Sequence, residues 1–213
     1  MLVMRSFKSH FEYPFLRKYQ DGVMAYQYKG IECLRSPIDA AIQARAIWDL
    51  EPATIIEIGS HHGASAIWMA DTVNNYGRQT PIFSIDVKKP QVTDPRVTYI
   101  EGDVMDLGAS FDAFDIWSAP RPWFVLEDSA HTYDCCMAAL EFLGKHMQGG
   151  EMLCMEDGVM TELGVADNYG GGPSKAIEDY YAAHPGVFEV DEYYCDMFGP
   201  NATYAPNGYM RKT

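Results

Sequence analysis

The segment Thr54-Ile55-Ile56-Glu57-Ile58-Gly59-Ser60-His61-His62-Gly63 decides the fold of this 213-residue chain. Its first half is a short, mostly β-branched run, which is typical of a strand buried on both faces of a parallel sheet. Two glycines then allow a tight turn, and Ala64 to Val73 reads as a helix. A buried strand that passes through a glycine turn into a helix is the opening unit of a doubly wound α/β sheet.

The same alternation continues toward the C-terminus. Four further strands are predicted at Pro81 to Asp86, Arg96 to Ile100, Trp123 to Leu126 and Glu151 to Met155. Helices are predicted from Ser36 to Leu50, from Thr132 to His146 and from Pro173 to His184. Two aromatic segments, Phe188 to Tyr194 and around Tyr204 to Lys212, are expected to close the sheet as an antiparallel hairpin. The predicted fold class is therefore α/β, a Rossmann-like doubly wound sheet that is mostly parallel.

The chain divides at Ser36 into two parts of different character. Residues 36–213 are predicted to form a single domain, whereas residues 1–35 are aromatic and irregular. This N-terminal arm has three possible roles: a lid over a site, a contact to a neighbouring subunit, or additional cover for the core.

Composition limits the function classes. Hydrophobic residues make up 47% of the chain and charged residues 22%, which suits a globular protein with a real core. A formal net charge of −14 disfavours binding to nucleic acid or to an anionic membrane. The chain shows no apolar run of membrane-spanning length, no signal peptide, and an odd set of five cysteines without C-x-x-C spacing. We therefore expect a cytoplasmic protein that acts on a small molecule.

Acidic residues stand at or just after the end of every predicted parallel strand. Ligands of open α/β sheets bind beyond the carboxyl ends of the strands, so these positions indicate a site. The acidic residues concerned are Glu57, Asp86, Glu101 with Asp103, Glu127 with Asp128, and Glu156 with Asp157.

The glycine turn favours one kind of ligand over another. Gly59 and Gly63 bring the backbone close to a ligand, and Asp86 can accept hydrogen bonds from ribose hydroxyls. The G-x-G-x-x-G fingerprint of dinucleotide folds is absent. The turn therefore suits a nucleoside with an amino-acid tail better than a pyrophosphate.

These motifs resemble those of class I S-adenosylmethionine-dependent methyltransferases. The closer resemblance is to the metal-dependent family of cephamycin methoxylation (cephalosporin hydroxylase) enzymes and macrolide-sugar O-methyltransferases. It spans roughly residues 29–211 and rests on segments 57–65, 36–39, 128–131, 155–157, 172–177 and 206–211. The resemblance implies S-adenosylmethionine and a divalent cation, usually Mg²⁺, as cofactors, and a homo-oligomer as the assembly.

The resemblance also implies roles for individual residues. Gly59 and its loop would wrap the methionine part of the cofactor, and Ser65 would bind its carboxylate. Asp86 would bind the ribose and Asp103 would lie at the adenine. Glu57 would orient the loop or the cofactor amine, with a purely supporting role as the alternative.

The metal ligands implied by the family are Asp128, Glu156 and Asp157. The residues themselves agree, because carboxylates at neighbouring strand ends converge and a hard, oxygen-seeking cation relieves their repulsion. Consecutive strand residues point to opposite faces, so the last two can share an ion only if the chain turns there, as Gly158 would allow. His131, three residues after Asp128, is the expected general base; orienting Asp128 or capping the helix are its alternatives.

The leading hypothesis is an Mg²⁺-dependent O-methyltransferase that acts on a hydroxyl of a small, specialised metabolite, such as one in antibiotic biosynthesis. A nicotinamide-dependent oxidoreductase and a non-catalytic S-adenosylmethionine-binding protein are the alternatives. The adjacent loop histidines, His61 and His62, lack the spacing of a ligand pair, so only backbone contacts are expected of them. The acidic loop between Asp157 and Gly172 is a further candidate for substrate contacts.

Overall fold

The computed structural model describes residues 5–213. Its α-helices are α1 (Tyr13–Val23), α2 (Pro37–Leu50), α3 (Ala64–Asn75), α4 (Leu107–Ala113), α5 (Tyr133–His146), α6 (Gly172–Ala183) and α7 (Glu192–Cys195). Its strands are β1 (Gln27–Tyr28), β2 (Ile31–Glu32), β3 (Thr54–Ile58), β4 (Ile82–Asp86), β5 (Val97–Glu101), β6 (Trp123–Glu127), β7 (Met152–Met155), β8 (Phe188–Val190) and β9 (Tyr209–Lys212). Short 3₁₀ turns lie at Val104–Asp106, Ile116–Ser118, Gly158–Met160 and Ala166–Tyr169.

Seven strands form one sheet in the order β5-β4-β3-β6-β7-β9-β8. β3 lies centrally, is buried along its whole length, and pairs in parallel with β4 and β6. The registers align Ile58 with Ile85 on one side and with Glu127 on the other. The carboxyl ends of these strands therefore meet at one edge of the sheet, which confirms the predicted fold class.

Helices cover both faces of the sheet. On one face the core joins α4, α5 and α6 to the sheet, with Phe111, Leu140 and Ile177 completely buried. On the other face α2 and α3 pack through residues such as Ile47 and Met69. The buried strand residues thus pack against helices on both sides of the sheet, as a doubly wound sheet requires.

The C-terminal strands are antiparallel as predicted but shorter, and the connection between them is long. β9 pairs with both β7 and β8, so it lies between them. Residues 192–194, which we predicted as strand, belong to α7, because the extended chain ends at Val190. Residues 204–208, predicted as the start of the last strand, form bends and turns, since Asn207 takes a left-handed conformation there.

The N-terminal arm has regular structure, unlike the irregular segment we predicted. α1 begins with Pro14 in its first turn and buries Leu16 and Val23, seven residues apart on one face. A tight hairpin, β1–β2, follows. Residues 1–4 of the arm lie outside the described residues. None of the described helices is both long and apolar enough to cross a membrane.

Candidate active site

A cavity of about 630 Å³ opens at the carboxyl ends of the central strands. Its volume is within the range of small-molecule sites. Seven of the nine predicted site residues line it: Gly59, Ser65, Asp86, Asp103, Asp128, His131 and Asp157. The other two, Glu57 and Glu156, are buried behind its wall.

Gly59 is required by the approach of two strand ends. Its φ is +102°, and a Cβ atom there would overlap the backbone carbonyl of Asp128. The Gly59 amide donates to Ile85 O at 2.7 Å, and the Asp128 amide donates to Ile58 O at 2.8 Å. The glycine therefore lets Asp128 reach the cavity beside the β3–α3 loop.

The buried Glu57 supports the β3–α3 loop through hydrogen bonds. Its two carboxylate oxygens accept hydrogen bonds from the hydroxyls of Ser65 and Ser84. Burial raises the pKa of Glu57, although both hydroxyls oppose the shift. A protonated Glu57 would donate to Ser65 and leave the serine hydroxyl free to donate to a ligand carboxylate. Glu57 thus fits the supporting role, and Ser65 is the group of the pair that faces the cavity.

Asp86 and Asp103 stand at the ends of neighbouring strands. Asp86 accepts from the backbone amides of His61 at 2.8 Å and Lys88 at 3.0 Å, one on each carboxylate oxygen. Asp103 accepts from the Met105 amide at 2.9 Å. Each carboxylate oxygen has a second lone pair, so both side chains keep acceptor capacity toward the cavity.

Asp128, His131 and Asp157 converge on the far side of the cavity. One ligand atom from each lies within 4.8 Å of the other two. His131 Nε2 is 3.2 Å from Asp157 Oδ2 and 3.7 Å from Asp128 Oδ1. His131 Nδ1 is buried and has no hydrogen-bond partner among the described residues. The imidazole therefore directs Nε2 toward two carboxylates and leaves Nδ1 without a partner.

The chain turns at Asp157 itself. We predicted that Gly158 would make the turn, but Asp157 takes the left-handed conformation at φ +59°. Gly158 instead permits close packing, since a Cβ there would lie 2.8 Å from Ser174 Oγ. His131 lies just before α5 at φ +55°, because Thr132 caps that helix.

Glu156 points away from the cluster of Asp128, His131 and Asp157. Its Oε1 accepts from the Gln43 side-chain amide and lies 3.7 Å from Arg35 Nη1. The Arg35 guanidinium is buried, stacks on the Trp68 ring at 4.9 Å, and has two nitrogens, Nε and Nη2, without a hydrogen-bond partner among residues 5–213. Arg35 is thus an internal cation behind the carboxylates.

The electrostatics of the site follow from burial and crowding. Burial raises the pKa of Asp128, and the charges of Glu156 and Asp157 raise it further. Burial also raises the pKa of Glu156 to about 7, against the lowering effect of Arg35. Burial alone would lower the pKa of Arg35, but the combined negative charge of its neighbours, with Glu156 the largest contributor among them, raises that pKa. A bound cation would relieve the carboxylate repulsion that remains.

The residues present fit a hard divalent cation. The carboxylates of Asp128 and Asp157 come together at the edge of the cavity, with His131 beside them, and oxygen ligands with room for water are what Mg²⁺ requires. In this conformation Glu156 would support the site through Arg35 and Gln43 and would reach the ion only after its side chain turned.

Sequence reasoning missed Arg35 and Gln43 because they come from the start of α2 and the segment before it, not from strand ends. The feature that could have revealed them is the presence of polar residues on the buried face of α2. Asp39 and Gln43 are buried there, whereas Ala41 is exposed. The apolar wall, by contrast, comes from the two segments expected to act as a lid or to contact the substrate, the N-terminal arm and the loop after Asp157. It is formed by Val23, Met24, Val159, Met160, Leu163, Val165 and Tyr169.

Comparison with known proteins gives a consistent picture. A sequence model of the family described as Rhamnosyl O-methyltransferase/CmcI matches residues 20–213. A Rhamnosyl O-methyltransferase of Mycobacterium leprae is 28% identical over 188 residues, which cover 86% of this chain and 81% of that protein. A protein of the same description from Mycobacterium bovis is 27% identical over 190 residues, covering 86% and 76%.

Solved structures share the fold. The CmcI apo-structure has a TM-score of 0.69 at 23% identity, and CmcI with Mg and SAM has 0.66 at 22%; both cover 89% of this chain and 77% of CmcI. The methyltransferase MycE, in complex with Mg, SAH and mycinamycin VI, has a TM-score of 0.51 at 18% identity and covers 66% and 41%. Because the family match extends over most of the chain, the protein belongs to the Rhamnosyl O-methyltransferase/CmcI family and is an S-adenosylmethionine-dependent methyltransferase, as the resemblance implied.

Proposed function

We propose that the protein is an Mg²⁺-dependent O-methyltransferase that acts on a hydroxyl of a small, specialised metabolite. The observation that carries the proposal is the meeting of Asp128, His131 and Asp157 in the wall of a cavity that the β3–α3 loop also lines. A cation-binding group and a cofactor-binding loop thus border the same small-molecule space.

The β3–α3 side suits S-adenosylmethionine. Ala64 and Ser65, at the N-terminus of α3, line the cavity, so the helix dipole and free backbone amides favour a carboxylate there. Asp86 and Asp103 continue the same wall as hydroxyl and amine acceptors. The CmcI and MycE structures are described as complexes of Mg with SAM or SAH, in agreement with this cofactor pair.

Another part of the wall suits an acceptor with an apolar body. Val23 of α1 and the following Met24 line the cavity together with Met160, Leu163 and Tyr169, and Leu163 packs against the cluster that contains Val23. We propose that the N-terminal arm closes over the acceptor and that loop 157–172 contacts it. The curated relatives are described as rhamnosyl O-methyltransferases, which favours a sugar hydroxyl as one acceptor class.

Different residues of the chain then have different roles in methyl transfer. When bound, S-adenosylmethionine supplies an electrophilic methyl group, and Mg²⁺ supplies charge that acidifies a hydroxyl. Asp128 and Asp157 hold the cation, and the apolar walls exclude water and align the acceptor. His131 accepts the hydroxyl proton at Nε2, the nitrogen that faces both carboxylates.

The test uses the purified protein and needs no known acceptor for its first step. Calorimetry should show binding of S-adenosylhomocysteine and none of NADH, which would exclude the oxidoreductase alternative. A panel of sugar-bearing and phenolic hydroxyl compounds is then screened by mass spectrometry for addition of one methyl group. Turnover should stop on addition of EDTA and in Asp128→Asn, with S-adenosylhomocysteine binding retained. Full activity under either condition would contradict the metal role.

The homo-oligomer and the cytoplasmic location remain predictions. Light scattering on the purified protein would measure the first, and fractionation of the native cells would measure the second.

A further inference from the structure

A second group of potential metal ligands lies outside the cluster of Asp128, His131 and Asp157. Glu32, at the end of the β1–β2 hairpin, comes up against the adjacent histidines His61 and His62 of the β3–α3 loop. One ligand atom from each of the three lies within 4.8 Å of the others. All three side chains are about half exposed, so an ion can reach them from solvent. Sequence spacing could not reveal this group because its carboxylate comes from another element.

The distances suit an intervening cation better than a direct contact. Glu32 Oε1 is 3.8 Å from His61 Nε2 and 3.6 Å from His62 Nε2, too far for hydrogen bonds. Two ligands of a tetrahedral ion, each at about 2.0–2.2 Å, are about 3.3–3.6 Å apart. Neither imidazole makes a hydrogen bond to any other described residue. Small side-chain rotations would therefore bring all three atoms onto one ion.

Both sides of the group are held in place by the fold. The His61 amide donates to Asp86 at 2.8 Å, and His61 takes a left-handed conformation at φ +46°. On the hairpin, the Tyr28 hydroxyl donates to Asp71 of α3 at 2.7 Å, and Lys29 pairs with the same carboxylate at 2.5 Å. The ligand atoms are thus brought together before any ion binds.

We propose that Glu32, His61 and His62 form a second cation site, which takes a borderline divalent ion such as Zn²⁺ and fastens the hairpin to the loop. Two imidazoles with one carboxylate favour Zn²⁺, Ni²⁺ or Cu²⁺ over Mg²⁺, which prefers oxygen ligands. Glu32 and His61 also line the cavity, so the ion would join the two sides of its rim. The two sites would then select different metals by their donor atoms.

The test is a calorimetric titration of the whole protein with ZnCl₂ under saturating Mg²⁺. The wild type should bind Zn²⁺, and His62→Gln and Glu32→Gln should each weaken this binding by about tenfold or more. His184→Gln is the matched control, because His184 also lies beside a carboxylate, 2.7 Å from Glu141, without a second histidine. It should bind Zn²⁺ like the wild type. His62 does not line the cavity and is exposed, so its replacement should not disturb the fold.

Hydrogen exchange measures whether the ion links the β1–β2 hairpin to the β3–α3 loop. Zn²⁺ should slow amide exchange in residues 27–32 of the wild type and leave it unchanged in His62→Gln. The proposal is overturned if Zn²⁺ binding survives both substitutions, if Asp128→Asn abolishes it, or if the hairpin exchanges at the same rate with and without Zn²⁺.

Discussion

At the scale of single residues, four residues that line the cavity adopt backbone conformations that L-residues rarely take. Leu34, His61, His131 and Asp157 all have positive φ, between +46° and +59°. Such conformations cost about 1–3 kcal/mol each when the surrounding structure must impose them. Three of the four residues are polar and are the ones to which we assign chemistry.

His131→Asn tests whether His131 is the general base, with a residue that also tolerates the positive φ at this position. Asparagine tolerates positive φ well, so the turn before α5 should persist while the imidazole is lost. We expect kcat to fall by about 10²–10⁴-fold. Calorimetry should give an unchanged affinity for S-adenosylhomocysteine, and thermal melting an unchanged Tm. A kcat within threefold of wild type would leave His131 only the role of orienting Asp128.

Gly59→Ala tests the close approach of the strand ends. The new Cβ would overlap the Asp128 carbonyl, which belongs to rigid backbone, so we expect a loss of about 3 kcal/mol or more in the free energy of unfolding. Gly77→Ala is the matched control, since Gly77 has φ +74° but a Cβ added there would meet no atom within 4 Å. It should lose only about 1–2 kcal/mol from backbone strain. Urea unfolding measures both, and equal losses would mean that the overlap is relieved elsewhere.

At the scale of elements, the packing of α5 on α6 depends on one glycine. Gly144 of α5 lies against Tyr180 of α6, so a Cβ there would overlap the tyrosine hydroxyl and lie 3.1 Å from Cζ. Alanine is otherwise the better helix former by about 1 kcal/mol. At position 144, helix propensity therefore favours alanine, whereas packing against Tyr180 favours glycine.

Gly144→Ala should destabilise the protein despite its gain in helix propensity, because Tyr180 is buried and its hydroxyl has little free space to move into. Adding Tyr180→Phe removes the overlapping atom and should restore most of the loss. A double-mutant cycle from urea unfolding should give a coupling energy of about 1–3 kcal/mol. If the effects of Gly144→Ala and Tyr180→Phe were strictly additive, α5 and α6 would be moving apart to relieve the overlap, and the tyrosine hydroxyl would not be the cause of the destabilisation.

The elements that could be predicted from the sequence are those whose residues carry a periodic pattern. The runs around Ile56 and Val125 identify strands because burial on both faces demands apolar residues throughout. α1 was missed because exposed Tyr13 and Phe15 obscure its buried face. In the site, Asp128 and Asp157 could be predicted from strand ends. Arg35 could not, since its place behind Glu156 depends on how the start of α2 packs on the sheet.

At the scale of the whole molecule, the net charge of −14 gains a partial explanation. Several of its carboxylates meet at one edge of the sheet, where Arg35 lies beside them as a buried cation. The apo protein therefore holds negative charge that a cation would neutralise.

Ligand binding should stabilise the whole molecule by mass action. At about 100 times its dissociation constant, each of the two ligands, Mg²⁺ and S-adenosylhomocysteine, should raise the Tm by about 5–10 °C for a chain of this size. Asp157→Asn should keep the share of the shift due to S-adenosylhomocysteine alone and lose the share due to Mg²⁺. Scanning fluorimetry measures both, and an Mg²⁺ shift of wild-type size in the variant would contradict the assigned ligand.

The position of β9 between β7 and β8 has a consequence for synthesis. A chain made from its N-terminus can assemble the five parallel strands early, but β7 keeps an open edge until residues 209–212 emerge. β8, although made earlier, has no partner until then. Unpaired edges of this kind are prone to aggregation. β9 therefore completes this side of the sheet, and we expect a nascent chain stalled before residues 209–212 to depend on chaperones more than the finished protein does.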